Sequence, residues 1–294
     1  MTTSDNVDLD LQSDSPTFSW TPPRPSQELN GDASSSHGAP TPDLSASSVS
    51  FRAGPLVHPA LLPGQSLSVS GIASRAFLLG ATLGVSISLT VYFLVQSSPL
   101  WRPPFFLATL ALFHELEFWT TARYNTQHVS ISSFLLTSNG AAYKLAHTAA
   151  LVECLTRNFL FPQTTWFGPV RPNVTTSLGL ILIVVGQTTR SLAMAQAGSN
   201  FNHMVQTRRT VDHHLVTHGI YAFLRHPSYF GFFWWGIGTQ LVLANPICLV
   251  AYAVVLWQFF HRRILKEEEL LVVFFGNDYE EYRSRTWTGL PLIP

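Results

Sequence analysis

The sequence predicts an all-α, polytopic integral membrane protein of about six transmembrane helices behind a disordered tail. Three observations carry that expectation. Charged residues make up only 12% of the 294 and apolar residues 46%, where ordinary soluble domains run to about 25% charged, so the chain could not coat a soluble surface. From residue 72 onward, apolar runs approach the roughly 20 residues that a helix needs to cross a bilayer. The formal net charge of zero is an average over two unlike parts. Up to Arg52 seven acids stand against two bases, Arg24 and Arg52, a net −5 that leaves +5 for the remainder. A balance of zero does not draw nucleic acid electrostatically. Two cysteines, Cys154 and Cys248, are too few for a disulfide framework or a cysteine-based zinc site.

Residues 1–68 form the first part, an acidic Ser/Pro-rich tail without apolar periodicity, which buries too little to offset chain entropy and reads as disordered. It lacks the basic-then-apolar pattern of a signal peptide and is too acidic for a transit peptide. Residues 69–294 form the membrane domain. Its cleanest span is 72–96, with Arg75 placed to snorkel. Residues 105–122 follow Pro103-Pro104 but carry His114, Glu115 and Glu117. Residues 141–161 follow Asn139-Gly140 and carry Lys144, His147 and Glu153. Both are spans only if their polar faces look into protein or a cavity. Residues 176–196 are strongly apolar around Gln187 and Arg190. Residues 228–244 and 247–262 flank Asn245-Pro246, a tight turn between antiparallel helices that makes a C-terminal helical hairpin. The stretch 124–138 is weak and could hide a re-entrant piece. An even span count puts both termini on one side, and the Lys/Arg bias places that side in the cytosol. Arg102, Arg157 and Arg171 then lie outside, whereas Arg123, Arg208, Arg209, Arg225, Arg262, Arg263, Lys266, Arg283 and Arg285 lie inside. The sequon Asn173-Val174-Thr175 falls on the lumenal side, too near the membrane to be used.

Polar residues gather in two stretches. Residues 187–229 hold Arg190, His203, Gln206, Arg208, Arg209, His213, His214, His218, Arg225 and His226, and residues 261–269 follow the hairpin's last helix. A convergent charged set at a membrane boundary is a site hypothesis. Arg208 and Arg209 are explained by the positive-inside rule alone, while Arg190, inside a span, points to function or buried pairing. Arg263 and Glu267 share one helix face at i, i+4. They could form a plain ion pair, or hold a zwitterion or carboxylate. The histidines at 203–226 make no second or third box of the kind di-iron membrane sites need, so no metal is expected. His226-Pro227 presets backbone geometry, for a ligand or for a simple loop-to-helix junction. Neither a dinucleotide loop nor a P-loop occurs. Gly236 and Gly238 suit close helix packing, and the aromatic stretch 270–282 suits lying on the membrane or capping the site.

Arg225-His226-Pro227-Ser228-Tyr229 with Gly231, then Gly238-Thr239-Gln240 and Asn245-Pro246, resembles the isoprenylcysteine carboxyl methyltransferase family. Gly198–His203, the run 215–221 (LVTHGIY) and the run 274–282 (FFGNDYEEY) fit the same pattern. The resemblance covers about residues 72–294 and is dense from 187 onward. It implies a membrane methyltransferase domain over 69–294 that uses S-adenosyl-L-methionine to methylate the C-terminal carboxylate of farnesyl- or geranylgeranyl-cysteine in CaaX-processed proteins. The setting it implies is the endoplasmic reticulum membrane, with a cytosolic cofactor pocket in the C-terminal half. Carried over residue by residue, the cofactor contacts are Gln206, His213, His214, Leu215, Val216, Tyr221, His226, Pro227, Ser228, Tyr229 and Glu267. Arg263 is the substrate contact and the expected catalytic residue, with Arg190 a second candidate. Three rivals remain open here: a phospholipid methyltransferase, an NADPH-dependent sterol reductase whose cofactor phosphate would occupy the arginines, and a non-enzymatic transporter.

Overall fold

The computed structural model describes residues 58–160, 172–209 and 213–293. Most of the expected tail (1–57) and Arg171 lie outside the described residues. Seven α-helices are described: α1 (Val69–Val95), α2 (Arg102–Tyr124), α3 (Gly140–Leu160), α4 (Pro172–Ala197), α5 (Pro227–Leu243), α6 (Pro246–Phe275) and α7 (Asn277–Arg285). No strand occurs among the described residues, only an isolated bridge between Leu224 and Trp287.

Local chemistry explains the helix starts. Ser68 caps α1, its hydroxyl accepting from the Gly71 amide at 3.1 Å. Prolines occupy the first turns of α2, α5 and α6, where the missing N–H has no intrahelical partner to lose. Each expected span coincides with a helix, but α6 runs well past the expected end at 262 because no breaker intervenes before Gly276, whose φ is +55°. The polar cluster after residue 262 therefore continues the same rigid rod that leaves the membrane. The stretch 124–138 forms two short 3-10 turns, Thr126–His128 and Ile131–Phe134. The second is anchored by Phe134, fully buried and stacked on Phe118 at 4.0 Å.

Three helices, α1, α4 and α6, are long and apolar enough to cross a bilayer by length and composition. Exposed Phe77, Leu78, Val91, Val95, Val250, Val254 and Val255 on α1 and α6 are the outward apolar surface expected of helices whose solvent is lipid. Helix α5 is apolar but has only 17 residues, and α2 carries buried His114 and Glu117.

Close crossing of α4 and α5 sets the position of the site. A Cβ on Gly186 would lie 2.6 Å from the Gly231 carbonyl, and one on Gly179 would lie 2.8 Å from the Gly238 carbonyl. Gly236 instead faces Leu256 of α6. The expected packing role of Gly236 and Gly238 thus divides between the two neighbours of α5. Between α5 and α6, Ala244 takes the left-handed conformation (φ +56°). The buried Asn245 amide donates to the Ala150 carbonyl at 2.8 Å and to Gln240 at 3.1 Å, tying the junction to α3. The chain's end returns to the same core. Leu290 and Ile293 join the apolar cluster around Phe233, Phe260 and Ile264. The indoles of Trp234 and Trp257 donate to the carbonyls of Gly289 and Pro291 at 3.2 and 2.8 Å.

Candidate active site

The coil between α4 and α5, the far third of α6 and the aromatic face of α7 line an open-sided cleft of about 120 Å³. One wall is His213, His214, Leu215 and Val216; the next is Tyr221, then His226, Pro227, Ser228 and Tyr229; Glu267 closes the side toward α6. A smaller hollow of about 60 Å³ adjoins it, lined by Gln206, Met204, Val205, Leu270 and Phe274, and shares His213, Glu267 and Leu271 with the first. The structure therefore brings the expected cofactor contacts, scattered over 206–267, to two adjoining hollows.

These walls are held by identifiable bonds. Arg225 donates through Nε to Glu268 at 2.6 Å and through Nη1 to the Thr286 carbonyl at 2.7 Å, while its amide donates to the Trp287 carbonyl at 2.9 Å. His226 lies 3.1 Å from the same Glu268 oxygen and stacks on Tyr229, which in turn stacks on Phe260. The His-Pro-Ser-Tyr turn is thus fixed to α6 by a carboxylate and an aromatic stack. The Gln196 side chain accepts from the Ile220 amide at 2.8 Å. The Tyr221 hydroxyl donates to the Ala193 carbonyl at 3.2 Å, and its own carbonyl accepts from Tyr282 at 2.7 Å. Burial, then the nearby Glu267 charge and Tyr282, push the Tyr221 phenol well above its usual value, so it stays a neutral donor.

Arg263 and Glu267 do not pair directly among the described contacts; the Tyr229 hydroxyl stands between them. It accepts from Arg263 Nε at 2.8 Å and donates to Glu267. Arg263 Nη2 donates to the His203 carbonyl, and the guanidinium lies over the Tyr229 and Phe259 rings. Neither reading of the i, i+4 spacing included this bridge, because the bridging oxygen comes from another helix. Nη1 of Arg263 makes no hydrogen bond among the described contacts, so a charged donor remains for a ligand.

His213 is held below its ordinary value of 6.5, first by burial and then by the charges of Arg209 and His214, with Glu267 opposing. Its ring packs edge-on against Phe274 and Phe275, and its buried Nδ1 has no protein partner.

Arg190 does not line the cavity. It is buried, paired through two nitrogens with Glu117 of α2, and it donates to the Ser228 hydroxyl at 2.9 Å. Of the two readings of Arg190, function or buried pairing, the structure places it in a pair. Residues that sequence reasoning passed over include Glu117, Asn200 and Asn202. Asn200 accepts from the His214 amide at 2.9 Å and, with Asn202, lines both cavities. An acid inside an apolar run was the available signal for Glu117; a loop asparagine gives none. Phe275, Tyr279 and Tyr282 line the larger cavity, so the aromatic stretch caps it.

Helices with an outward apolar face define the class as an integral membrane protein, and the cleft with its charged lining gives it a candidate site. Comparison makes this specific. The sequence model of the Isoprenylcysteine carboxyl methyltransferase (ICMT) family matches residues 179–273, which include α5 and most of the cleft. The chain is 43% identical over 223 residues to protein-S-isoprenylcysteine O-methyltransferase of Saccharomyces cerevisiae, covering 76% of this chain and 91% of that one. It is also 43% identical to the Homo sapiens protein of the same name over 226 residues, 76% and 75% of the two chains. A solved structure described as the eukaryotic intramembrane Ras methyltransferase ICMT superposes with a TM-score of 0.67 at 38% identity, covering 76% of this chain and 77% of that one. The chain belongs to the isoprenylcysteine carboxyl methyltransferase family.

Proposed function

We propose that this enzyme transfers a methyl group from S-adenosyl-L-methionine to the C-terminal carboxylate of a prenylated cysteine in CaaX-processed proteins. The observation that carries the reading is Arg263. It is a guanidinium that does not itself line the cleft but is bonded to the cleft-lining Tyr229 and to the His203 carbonyl, with no carboxylate partner among the described residues.

The cleft fits the cofactor by its chemistry. Glu267 offers an anion for an ammonium group, and Leu215, Val216, Leu271 and Phe275 offer apolar walls for a purine. The orphaned Nδ1 of His213 waits for a polar partner. Gln206, His214, Tyr221 and the His226–Tyr229 turn would complete the enclosure. When bound, S-adenosyl-L-methionine supplies a methyl carbon on a sulfonium that carries its own leaving group. The acceptor carboxylate is ionised at neutral pH, so the protein has no proton to remove. Its work is alignment, the task that effective-molarity arguments assign to positioning groups. Arg263 holds the carboxylate through Nη1 while its other nitrogens stay bound to protein. Because Nε and Nη2 are already engaged, it orients the nucleophile without quenching it by a full two-point clamp. Arg190 supports this from behind Ser228.

The same reading includes a six-span topology, with α5 and α6 as a hairpin, the cleft facing the cytosol and both termini on that side of the endoplasmic reticulum membrane. Residues 69–294 form the enzyme, and residues 1–68 are an appended tail. The prenyl chain stays among the apolar helices while the cysteine carboxylate reaches the boundary.

The test gives membranes containing the protein methyl-labelled S-adenosylmethionine and a small farnesylcysteine acceptor. A base-labile methyl ester is expected. Label in phospholipid with no such ester would overturn the reading in favour of a lipid methyltransferase, and NADPH binding in place of S-adenosylmethionine would favour a reductase.

A further inference from the structure

The alignment just described leaves one buried acid without a task. Glu117 sits in the middle of α2 with its side chain 1% exposed, where an ionised carboxylate is costly unless opposite charge and hydrogen bonds meet it. Two groups do. Arg190 of α4 donates from Nε and Nη2, the latter at 2.8 Å to Oε2, and His203 Nε2 lies 2.9 Å from that same oxygen. Each of these partners then reaches the cleft by a second contact. Arg190 Nη1 donates to the Ser228 hydroxyl at 2.9 Å and to its carbonyl at 3.3 Å, and Ser228 is part of the cleft wall. The His203 carbonyl accepts from Arg263 Nη2, and Arg263 Nε donates to Tyr229 at 2.8 Å.

We infer that Glu117 is a positioning residue for methyl transfer. One buried carboxylate, clamped from two sides, sets both the Ser228 end of the cleft and the aim of the Arg263 guanidinium. The inference rests on the methyl-transfer reading above. A purely architectural ion pair between α2 and α4 would need only Arg190. Here a third group is recruited from the coil that follows α4, with its ring 26% exposed, and the backbone of that residue is the one that receives Arg263. Removing His203 therefore leaves the interhelical pair whole but frees the carbonyl that aims Arg263. Losing the Arg190 contact to Ser228 disturbs the cofactor wall instead. The two arms fail differently, and a packing role would not separate them.

Glu117→Gln leaves Arg190 as an uncompensated buried cation and is expected to lower the yield of folded protein, so the arms are tested instead. His203→Ala should raise the acceptor KM and lower kcat, each by about tenfold, with the Kd for S-adenosylmethionine within about twofold of wild type. His203→Gln, whose amide can donate to the same oxygen, should recover both parameters to within about threefold. Arg190→Lys keeps the charge but cannot serve Glu117 and Ser228 together, and should weaken cofactor binding by about tenfold. The inference is overturned if His203→Ala has wild-type acceptor KM and kcat, or if His203→Gln is as impaired as His203→Ala. It is equally overturned if Arg190→Lys leaves cofactor binding unchanged. Wild-type membranes in the same assay separate the two claims. Absence of ester from wild type overturns the methyl-transfer reading itself, whereas ester from wild type with an unimpaired His203→Ala overturns only the role of Glu117.

Discussion

Tyr229 shows how a single hydroxyl changes the meaning of two neighbouring charges. Because it accepts from Arg263 and donates to Glu267, it keeps apart two groups that helix spacing would otherwise let neutralise each other. Arg263 remains available to an anion, and Glu267 to a cation. On the proposed reading, Arg263→Ala is therefore expected to cut ester formation by at least about 100-fold while the protein still accumulates and binds cofactor, since the lost group's main part is to hold the acceptor. Radiolabel transfer and equilibrium binding on the same membranes check both halves. His213 supplies a second residue-scale prediction. Its folded value is depressed, so the neutral ring is the form the cleft is built around. That preference is fully present above the ordinary 6.5 and is lost as pH falls through the lowered value. Cofactor affinity should be flat from about pH 7 to 8 and weaken on acidification, and His213→Asn should remove that acid limb. An acid limb that survives in His213→Asn rules the assignment out.

The helices were legible in the sequence because length, proline and glycine punctuation act locally. Every expected span coincides with a helix, and the charged residues at 263–269 stood out because charge is conspicuous at the end of an apolar run. The pairings between helices were not legible. Arg190 and Glu117 are 73 positions apart, and no periodicity in α2 or α4 reveals which face of one meets which face of the other. Asn200 stood within the family-like segment Gly198–His203 but its role was not legible, because small polar residues are ordinary in coils and only the fold shows its side chain holding the His214 amide. The α4–α5 crossing is where element geometry governs site geometry. A Cβ on Gly231 would meet the backbone and Cβ of Arg190 at 2.8 Å, so Arg190 reaches Ser228 only because this position is glycine. Gly186→Leu should push the helices apart and cost at least about 1–3 kcal/mol, seen as a lower unfolding temperature in detergent. Cofactor binding should fall with it, since the Ser228 wall moves. Wild-type stability in Gly186→Leu would show that the crossing tolerates separation.

At the scale of the whole molecule, the distribution of free positive charge argues for an orientation. Arg102 and Arg157 belong to the end of the helix set where α5 terminates. Arg102 donates to the Val242 carbonyl at 2.9 Å and Arg157 to the carbonyls of Leu243 and Ala244. They serve as caps for the negative end of a helix dipole. At the other end Arg208, Arg262 and Lys266 are exposed, while exposed Arg283 and Arg285 lie 3.9 and 3.7 Å from Glu268 and Glu281. On the proposed reading, the positive-inside rule favours a cytosolic cleft. Tags placed at each terminus of the protein in sealed microsomes should both be digested by protease added outside, without detergent. A protected C-terminal tag would reverse the orientation and place the cleft in the lumen. The same preparation tests the tail. Among the described residues the larger cavity is lined from Ala197 to Tyr282, so removing residues 1–57 should leave ester formation within about twofold of the full chain. A larger loss would mean that the acidic tail, with its net −5, takes part in substrate capture.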